Sequence, residues 1–520
     1  MLKRDISRTN VLIAAAGGMI GSGWLFSPYI SAQIAGPGAL ISWVIAAIFM
    51  LFIALPLCEL GTLLPISGGM TNYPTFTHGK EVGFVFAWIS WLSYVVMTPI
   101  EIQAILQYGS HFIPQLVAKH PGGSELTALG YVVAIGLMFF VVLLNTFGIK
   151  LLAECNKYAS LIKFILPSIA ITALLYTANQ QPSGLFHHLQ FDLGAKNTWI
   201  AIFSALSTGG IAFAFTGFQN GLMLAGEVRH PQRDIPWAII GAVVIGFVLY
   251  FMLQLSFLVA IPDTYLTHGW QALHFPGDSG PLVGLTLLLG LGIVAILLLF
   301  DASFSPFGTT LVYTAATSRI VYGMALNQHL PACFLKLNRF KIPTVTLYVN
   351  FVVGILSFLP FPTWQKMVAF LSSASILSYG IGPICLLALR KLQPTTTRAF
   401  RLEYPTVICQ LGFYICNLML LWCGFDILWK LYAAIIVGLA IHCITQRNIN
   451  LLNLRVGWFM SYITGLLLLS YLSSFGGIHW LVFPWDMVLI APFSFFILCA
   501  SQRCLISEEG FSALMPPSIR

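Results

Sequence analysis

Apolar residues in this chain come in long unbroken runs rather than in alternation with polar ones, as over 41–57, 131–144, 284–300 and 433–441. With their flanks these runs reach the roughly 20 residues that a helix needs to cross the hydrocarbon of a bilayer. A backbone facing lipid must close its own hydrogen bonds, so the runs are predicted to be helices. The missing two-residue alternation argues against a membrane β-barrel. Read this way, the pattern predicts spans near 10–35, 39–64, 83–112, 126–147, 153–177, 199–225, 235–261, 281–315, 343–359, 367–389, 405–424, 427–445, 457–474 and 481–500. The expectation is an all-α polytopic membrane protein of about fourteen transmembrane helices.

Composition agrees: 58% of the 520 residues are hydrophobic and 8% are charged, against roughly 25% charged in soluble domains. The formal charge of +8 is not read as a nucleic-acid footprint, because the cations follow the topology. With the N-terminus inside, twenty of the 25 Lys and Arg fall in inner segments, from Lys3, Arg4 and Arg8 through Lys150, Lys157 and Arg455 to Arg447, Arg503 and Arg520. Outer segments carry Lys119, Lys196, Lys366 and Lys430, and Lys163 lies within a span. That inside bias puts both termini in the cytoplasm of a cell (inner) membrane protein. The first span is read as retained rather than as a cleaved signal. The ten cysteines form no CxxC and no zinc-spaced cluster with histidine, so no metal or other cofactor is expected. Cys409, Cys416 and Cys423 share one helix face and are read as small packing residues.

Two spans are interrupted. Gly17-Gly18-Met19-Ile20-Gly21-Ser22-Gly23 puts four glycines mid-span, and five spans later comes Gly209-Gly210 followed by Phe213-Ala214-Phe215-Thr216-Gly217-Phe218-Gln219. Each mid-helix glycine disfavours the helix by about 1 kcal/mol relative to alanine, so both segments are predicted to unwind. An odd offset makes the second enter from the opposite side, as an inverted repeat requires, and paired broken helices point to a transporter's midplane site. Half-helix ends there suit a carboxylate at one pole and an ammonium or cation at the other, the two charges of an α-amino acid.

At these residues the chain resembles the amino acid–polyamine–organocation permeases. The resemblance rests on Gly18-Met19-Ile20-Gly21-Ser22-Gly23, Glu59-Leu60-Gly61 with Ser67-Gly68-Gly69, Phe215-Thr216-Gly217-Phe218 leading into Gly226-Glu227-Val228-Arg229, Ser318-Arg319 with Leu330-Pro331, and Arg398-Ala399-Phe400-Arg401. Gly21-Ser22-Gly23-Trp24-Leu25-Phe26 with Pro99-Ile100-Glu101 looks most like the branch of bacterial aspartate/glutamate transporters. The resemblance implies a five-plus-five inverted-repeat core over 1–401, with repeats near 10–177 and 199–391 and discontinuous first and sixth helices, followed by additional helices over 402–520. It places Met19, Ile20, Gly21, Ser22 and Gly23, with Phe213, Thr216 and Gly217, at the substrate. Ser22 and Gly23 would donate to the α-carboxylate, the carbonyls of Met19, Phe213 and Thr216 would take the ammonium, and Phe213 would be an outer lid. Where many relatives have an acid after the Gly-aromatic pair this chain has Gln219, so that acid is not available for proton coupling.

Ionisable residues at membrane depth default to function. Lys163, Glu101 and Asp301 are the coupling candidates. Several proton-coupled relatives carry a lysine on the fifth helix where others bind sodium, which favours a proton gradient over sodium; snorkelling to the interface is the alternative for Lys163, and a structural pair for the two acids. Glu59, Glu227 and Asp234 lie near inner helix ends beside Arg229, Arg233 and Arg319, where ion pairs are expected, and His187-His188 reads as surface. With no HExxH, no GxSxG and no filter motif, an enzyme or a channel is disfavoured, and neither tail is long enough for a sensor's output domain. The reading is a secondary active amino acid transporter with proton symport as the working form. Antiport, the amino acid carried and the oligomeric state stay open.

Overall fold

The computed structural model of the chain describes residues 4–66, 68–120, 123–147, 150–181, 186–187, 189–191, 193–275, 280–446 and 454–514. Lys3, Ser67, His188, Arg447 and Arg520 lie outside the described residues, as do the side chains of Lys119, Lys150, Lys157 and Arg455.

The first predicted span is two helices, α1 (Arg8–Met19) and α2 (Gly23–Ala35). Ser7 caps α1 by accepting the Asn10 N–H, satisfying one of the donors that a helix start leaves open. The chain continues through α3 (Ala39–Leu63) and a short α4 (Gly69–His78). The third predicted span is divided at Val96 into α5 (Lys80–Val95) and α6 (Met97–Gly109). Then follow α7 (Ala128–Thr146), α8 (Lys150–Ala178) and α9 (Lys196–Thr208). The sixth span runs on as single turns, α10 (Ile211–Ala214) and α11 (Asn220–Met223), before α12 (Pro231–Ala260).

The eighth predicted span needs correction. Residues 281–315 are not one helix: α13 (Pro281–Leu288) ends at a turn in which Gly290 takes φ +72°, and α14 (Gly292–Leu326) begins after it. A left-handed residue stops a helix, and glycine adopts it without the penalty a Cβ would bring. The rest are α15 (Thr344–Ser357), α16 (Trp364–Tyr379), α17 (Ile381–Leu392), α18 (Pro405–Trp422), α19 (Phe425–Gln446), α20 (Leu454–Leu472), α21 (Trp485–Ser501) and α22 (Glu508–Leu514). A hairpin of β1 (Val117–His120) and β2 (Gly123–Leu126), absent from the sequence reading, is the only sheet among the described residues.

Among the described residues nine segments are long and apolar enough to cross a membrane, and four shorter apolar helices accompany them. Their burial separates centre from rim. The apolar window of Lys80–Gly109 is 100% buried and that of Trp364–Leu392 is 94% buried, whereas Ala128–Thr146 is 33% buried. On α7 the exposed face carries Leu129, Val132, Phe139 and Phe140. An apolar face of that kind has no business in water, and it suits lipid. Within the bundle α12 packs on α3, α1 and α8, and α14 on α6, α5 and α8. α18 ties the later helices to α3 and α17, with Cys409 and Cys416 buried along it and Cys423 buried just past its end. Asn417 joins this group by donating to Ser494 at 2.8 Å and accepting from the Tyr462 hydroxyl at 2.6 Å.

Ion pairs mark helix ends: Asp234 keeps one of the arginines expected, Arg233, whereas Glu59 takes different ones. Glu59, fully buried, accepts from Arg390 at 2.9 and 2.7 Å and from the Leu402 N–H at 2.8 Å, while Arg398 Nε stands 3.1 Å away. Asp234 is 3.3 Å from its neighbour Arg233. The start of the chain forms a parallel bridge with the segment after α11: Ile6 N–H donates to Glu227 O and Arg229 N–H to Ile6 O, both at 3.0 Å. His187 pairs with Asp263.

Candidate substrate site

Three residues, Ile20, Gly21 and Ser22, carry the chain from α1 to α2 out of helical register. Unwinding frees backbone groups that must find partners in a buried place. Two other helices, α12 and α6, supply them, and α16 holds the Ser22 side chain. The Tyr250 hydroxyl of α12 donates to Met19 O at 2.7 Å, and Trp364 Nε1 of α16 donates to Ser22 Oγ at 3.1 Å. The Ser22 N–H donates to the carboxylate of Glu101 on α6, 3.1 Å from Oε1 and 2.9 Å from Oε2. Gly21 is there for close approach: a Cβ on it would lie 2.5 Å from Glu101 Oε1.

The second break, Phe215–Gln219, closes largely on itself. Thr216 N–H donates to Phe213 O at 2.8 Å and Asn220 N–H to Gly217 O at 2.9 Å. Gln219 Oε1 accepts from the Gly217 N–H at 2.8 Å and from the Tyr379 hydroxyl at 2.9 Å. The amide that replaces the expected acid thus serves as a double acceptor. Gly217 holds φ +128°, and a Cβ there would meet Gly18 O at 2.5 Å and Met19 N at 2.6 Å. The second break therefore touches the last turn of α1, just before the first break, backbone to backbone, which glycine alone permits.

Of the residues expected at the substrate, Met19, Ile20, Gly21, Ser22, Gly23, Phe213, Thr216 and Gly217 are all buried around this contact. Phe213 packs edge-on against Trp364 with ring centres 5.8 Å apart, and Trp364 lies 4.6 Å from Phe26, which meets Tyr108 at 5.2 Å. Phe213 is thus one ring of a larger aromatic cover. On the other side of the contact, Tyr94 and Tyr313 sit 5.2 Å apart and the Tyr94 hydroxyl reaches Asn220 Oδ1 at 3.4 Å. Trp364, Tyr250, Tyr94, Tyr313 and Tyr379 were not picked out in sequence, since single aromatics in apolar helices carry no spacing signal.

The three ionisable candidates converge. Lys163 of α8 is 4% exposed and donates to Thr309 Oγ1 of α14 at 2.9 Å, so its ammonium ends inside the bundle and not at the interface. Glu101 and Asp301 are fully buried and both interact electrostatically with it. Neither Asp301 oxygen has a hydrogen-bond partner among the described residues. Glu59, Glu227 and Asp234 take no part in this cluster.

Comparison with known proteins matches residues 6–475 to the amino acid permease family model. Over 508 residues the chain is 35% identical to the glutamate/serine transporter AimA of Bacillus subtilis (strain 168), covering 95% of this chain and 92% of that protein. It is 32% identical to the aspartate-proton symporter of the same organism, covering 94% of each, and 25% identical to amino-acid permease AapA over 78% of this chain and 85% of that one. These relatives are transporters and not enzymes, and with apolar helices able to cross a bilayer several times the chain is a multi-pass membrane transport protein. It belongs to the amino acid permease family, within the amino acid–polyamine–organocation superfamily.

Proposed function

We propose that this protein is a secondary active transporter that carries an amino acid across the cell (inner) membrane by proton symport and alternating access, with both termini in the cytoplasm. The observation that carries the reading is the direct contact of two broken helices at Gly18 and Gly217, with a polar lining around it, in a chain of the amino acid permease family. In this reading the core is a five-plus-five inverted repeat over 1–401, α1 to α8 forming the first repeat and α9 to α17 the second, within about fourteen spans. Helices over 402–520 are additions to that core.

The N-terminus of α2 offers the positive pole of a helix dipole and the N–H groups of Ser22 and Gly23 to a carboxylate. The carbonyls of Met19, Phe213 and Thr216 offer acceptors to an ammonium; that of Met19 already takes one bond and keeps a second lone pair, whereas that of Phe213 already takes two, from the Phe215 and Thr216 N–H groups, and would have to share. Phe213 with Trp364 and Phe26 covers the outer side. Lys163, Glu101 and Asp301 carry the coupling: a buried ammonium beside two carboxylates is a place where a proton changes the charge count, and it fills the position where a sodium ion would otherwise bind. Names of the near full-length relatives suggest acidic amino acids and serine as first substrates to try.

The test is uptake of labelled L-aspartate, L-glutamate, L-serine and neutral amino acids into proteoliposomes. Accumulation driven by an inward proton gradient without sodium supports symport. Exchange that ignores the gradient would assign an antiporter, sodium-driven uptake would replace the proton, and no movement of any amino acid would leave a sensor or channel of the same fold.

A further inference from the structure

The carboxylate already seated on Ser22 goes beyond a general coupling role for Glu101. α2 is a 13-residue helix whose first turn is buried, so its N-terminus is an anion site with little water to compete. Its occupant is Glu101: both carboxylate oxygens lie within 3.1 Å of the Ser22 nitrogen, against the Cα of Gly21. A second carboxylate directed to the same N–H would bring two anions into van der Waals contact in a low-dielectric setting, and like charges that close do not both stay ionised.

We infer that Glu101 is a tethered competitor of the substrate's carboxylate: the two occupy the N-terminus of α2 in turn, and Glu101 takes up a proton as it leaves. This rests on the amino acid transport reading and specifies how the proton enters it. The titratable groups facing Glu101 are Lys163 from α8, Asp301 and Tyr313 from α14, and Tyr250 from α12. Two carboxylates thus face one ammonium. A zwitterionic substrate brings its own balancing charge, whereas Glu101 displaced from Ser22 loses its donor and is left as an unpaired buried anion. One proton from the outer water converts it to the acid, and no other bond changes. Loss of that proton to the inner side restores the carboxylate, which returns to Ser22 and expels the substrate.

Linked binding of one proton makes substrate affinity fall about tenfold per pH unit above the carboxyl's titration range. The experiment is equilibrium binding of labelled L-aspartate, L-glutamate or L-serine, whichever the uptake panel selects, to purified full-length protein between about pH 5 and about pH 8. Wild type is expected to show the slope. Glu101→Gln is expected to lose it and to bind more tightly than wild type at the alkaline end, while Asp301→Asn keeps it. Glu101→Asp, too short to reach Ser22 fully, is expected to bind more tightly there as well and provides a second reading if the Gln variant does not fold. A wild type whose binding ignores pH, a slope that survives in Glu101→Gln or vanishes in Asp301→Asn, or weaker alkaline binding in the Glu101 variants would overturn the inference alone. Wild type that binds none of the amino acids would overturn the transport reading, and the inference with it.

Discussion

The two broken helices solve the same problem in opposite ways. At the first break the freed backbone groups are met by side chains from elsewhere, Glu101 of α6 and Tyr250 of α12, while Trp364 of α16 holds the Ser22 hydroxyl. At the second the backbone bonds are local, from Thr216 to Phe213 and from Gly217 to Gln219, with Tyr379 and Tyr94 as distant helpers on the side chains of Gln219 and Asn220. A backbone satisfied by movable side chains can exchange them for a ligand. A backbone satisfied by its own turn keeps its shape whatever is bound, so on the proposed reading the first break would be the receptive one and the second a fixed wall.

The largest test of that contrast is Gly217→Leu. A side chain there would be driven into the Gly18–Met19 backbone from a left-handed φ, and uptake should be abolished while membrane insertion, checked by gel filtration of the solubilised protein, persists. Gly21→Leu should behave the same way by displacing Glu101. Normal uptake by either variant would mean that the breaks are not the site.

Next in size is Lys163→Arg. A guanidinium is effectively never deprotonated, so if the ammonium must shed its proton during the cycle, pH-driven accumulation should stop, whereas a permanent anchor would tolerate the exchange. Lys163→Ala should keep exchange that no longer responds to pH. Full accumulation by the arginine variant would leave the proton to Glu101 and Asp301.

Gln219→Ala probes the wall. It strips the acceptor from the Gly217 N–H and the Tyr379 hydroxyl, and leaving buried donors unpaired costs about 1–3 kcal/mol. Thermal unfolding should shift down accordingly, with the pH profile of uptake unmoved; a displaced pH profile would give the second break a share in coupling. The smallest effect belongs to Ser22→Ala. This removes the hydroxyl that Trp364 holds and leaves the N–H on Glu101, so uptake should change by only about twofold to fivefold, the worth of one hydrogen bond. A far larger loss would make the hydroxyl, and not the backbone, the ligand.

The sequence announced the breaks because glycine clusters act locally, through the backbone of the residues that carry them. It also announced the depth of Lys163, Glu101 and Asp301, since a charge stands out in an apolar run. What it could not convey was pairing. Ser22 and Glu101 are 79 residues apart and Tyr250 and Met19 are 231 apart, and nothing in the spacing links them. For the same reason the sequence places Glu59 beside Arg229, Arg233 and Arg319, whereas its neighbours in space, Arg390 and Arg398, come from the far end of the core. Residues 281–315 misled differently, because Gly290 is one glycine among many and only its backbone angle reveals the turn.

The bridge between Ile6 and Val228 acquires a meaning when set beside the contact of Gly18 with Gly217. A rod pinned at one point swivels freely, but a rod pinned near both ends must follow whatever it is pinned to. α1 is fastened to the strand of chain between Gly217 and Arg229 near its start and again near its finish, so the two segments are expected to turn as one piece. If the proposed transport cycle holds, its opening is then a single stroke about the unwound residues, and a probe distance measured between α1 and that strand should stay constant through it.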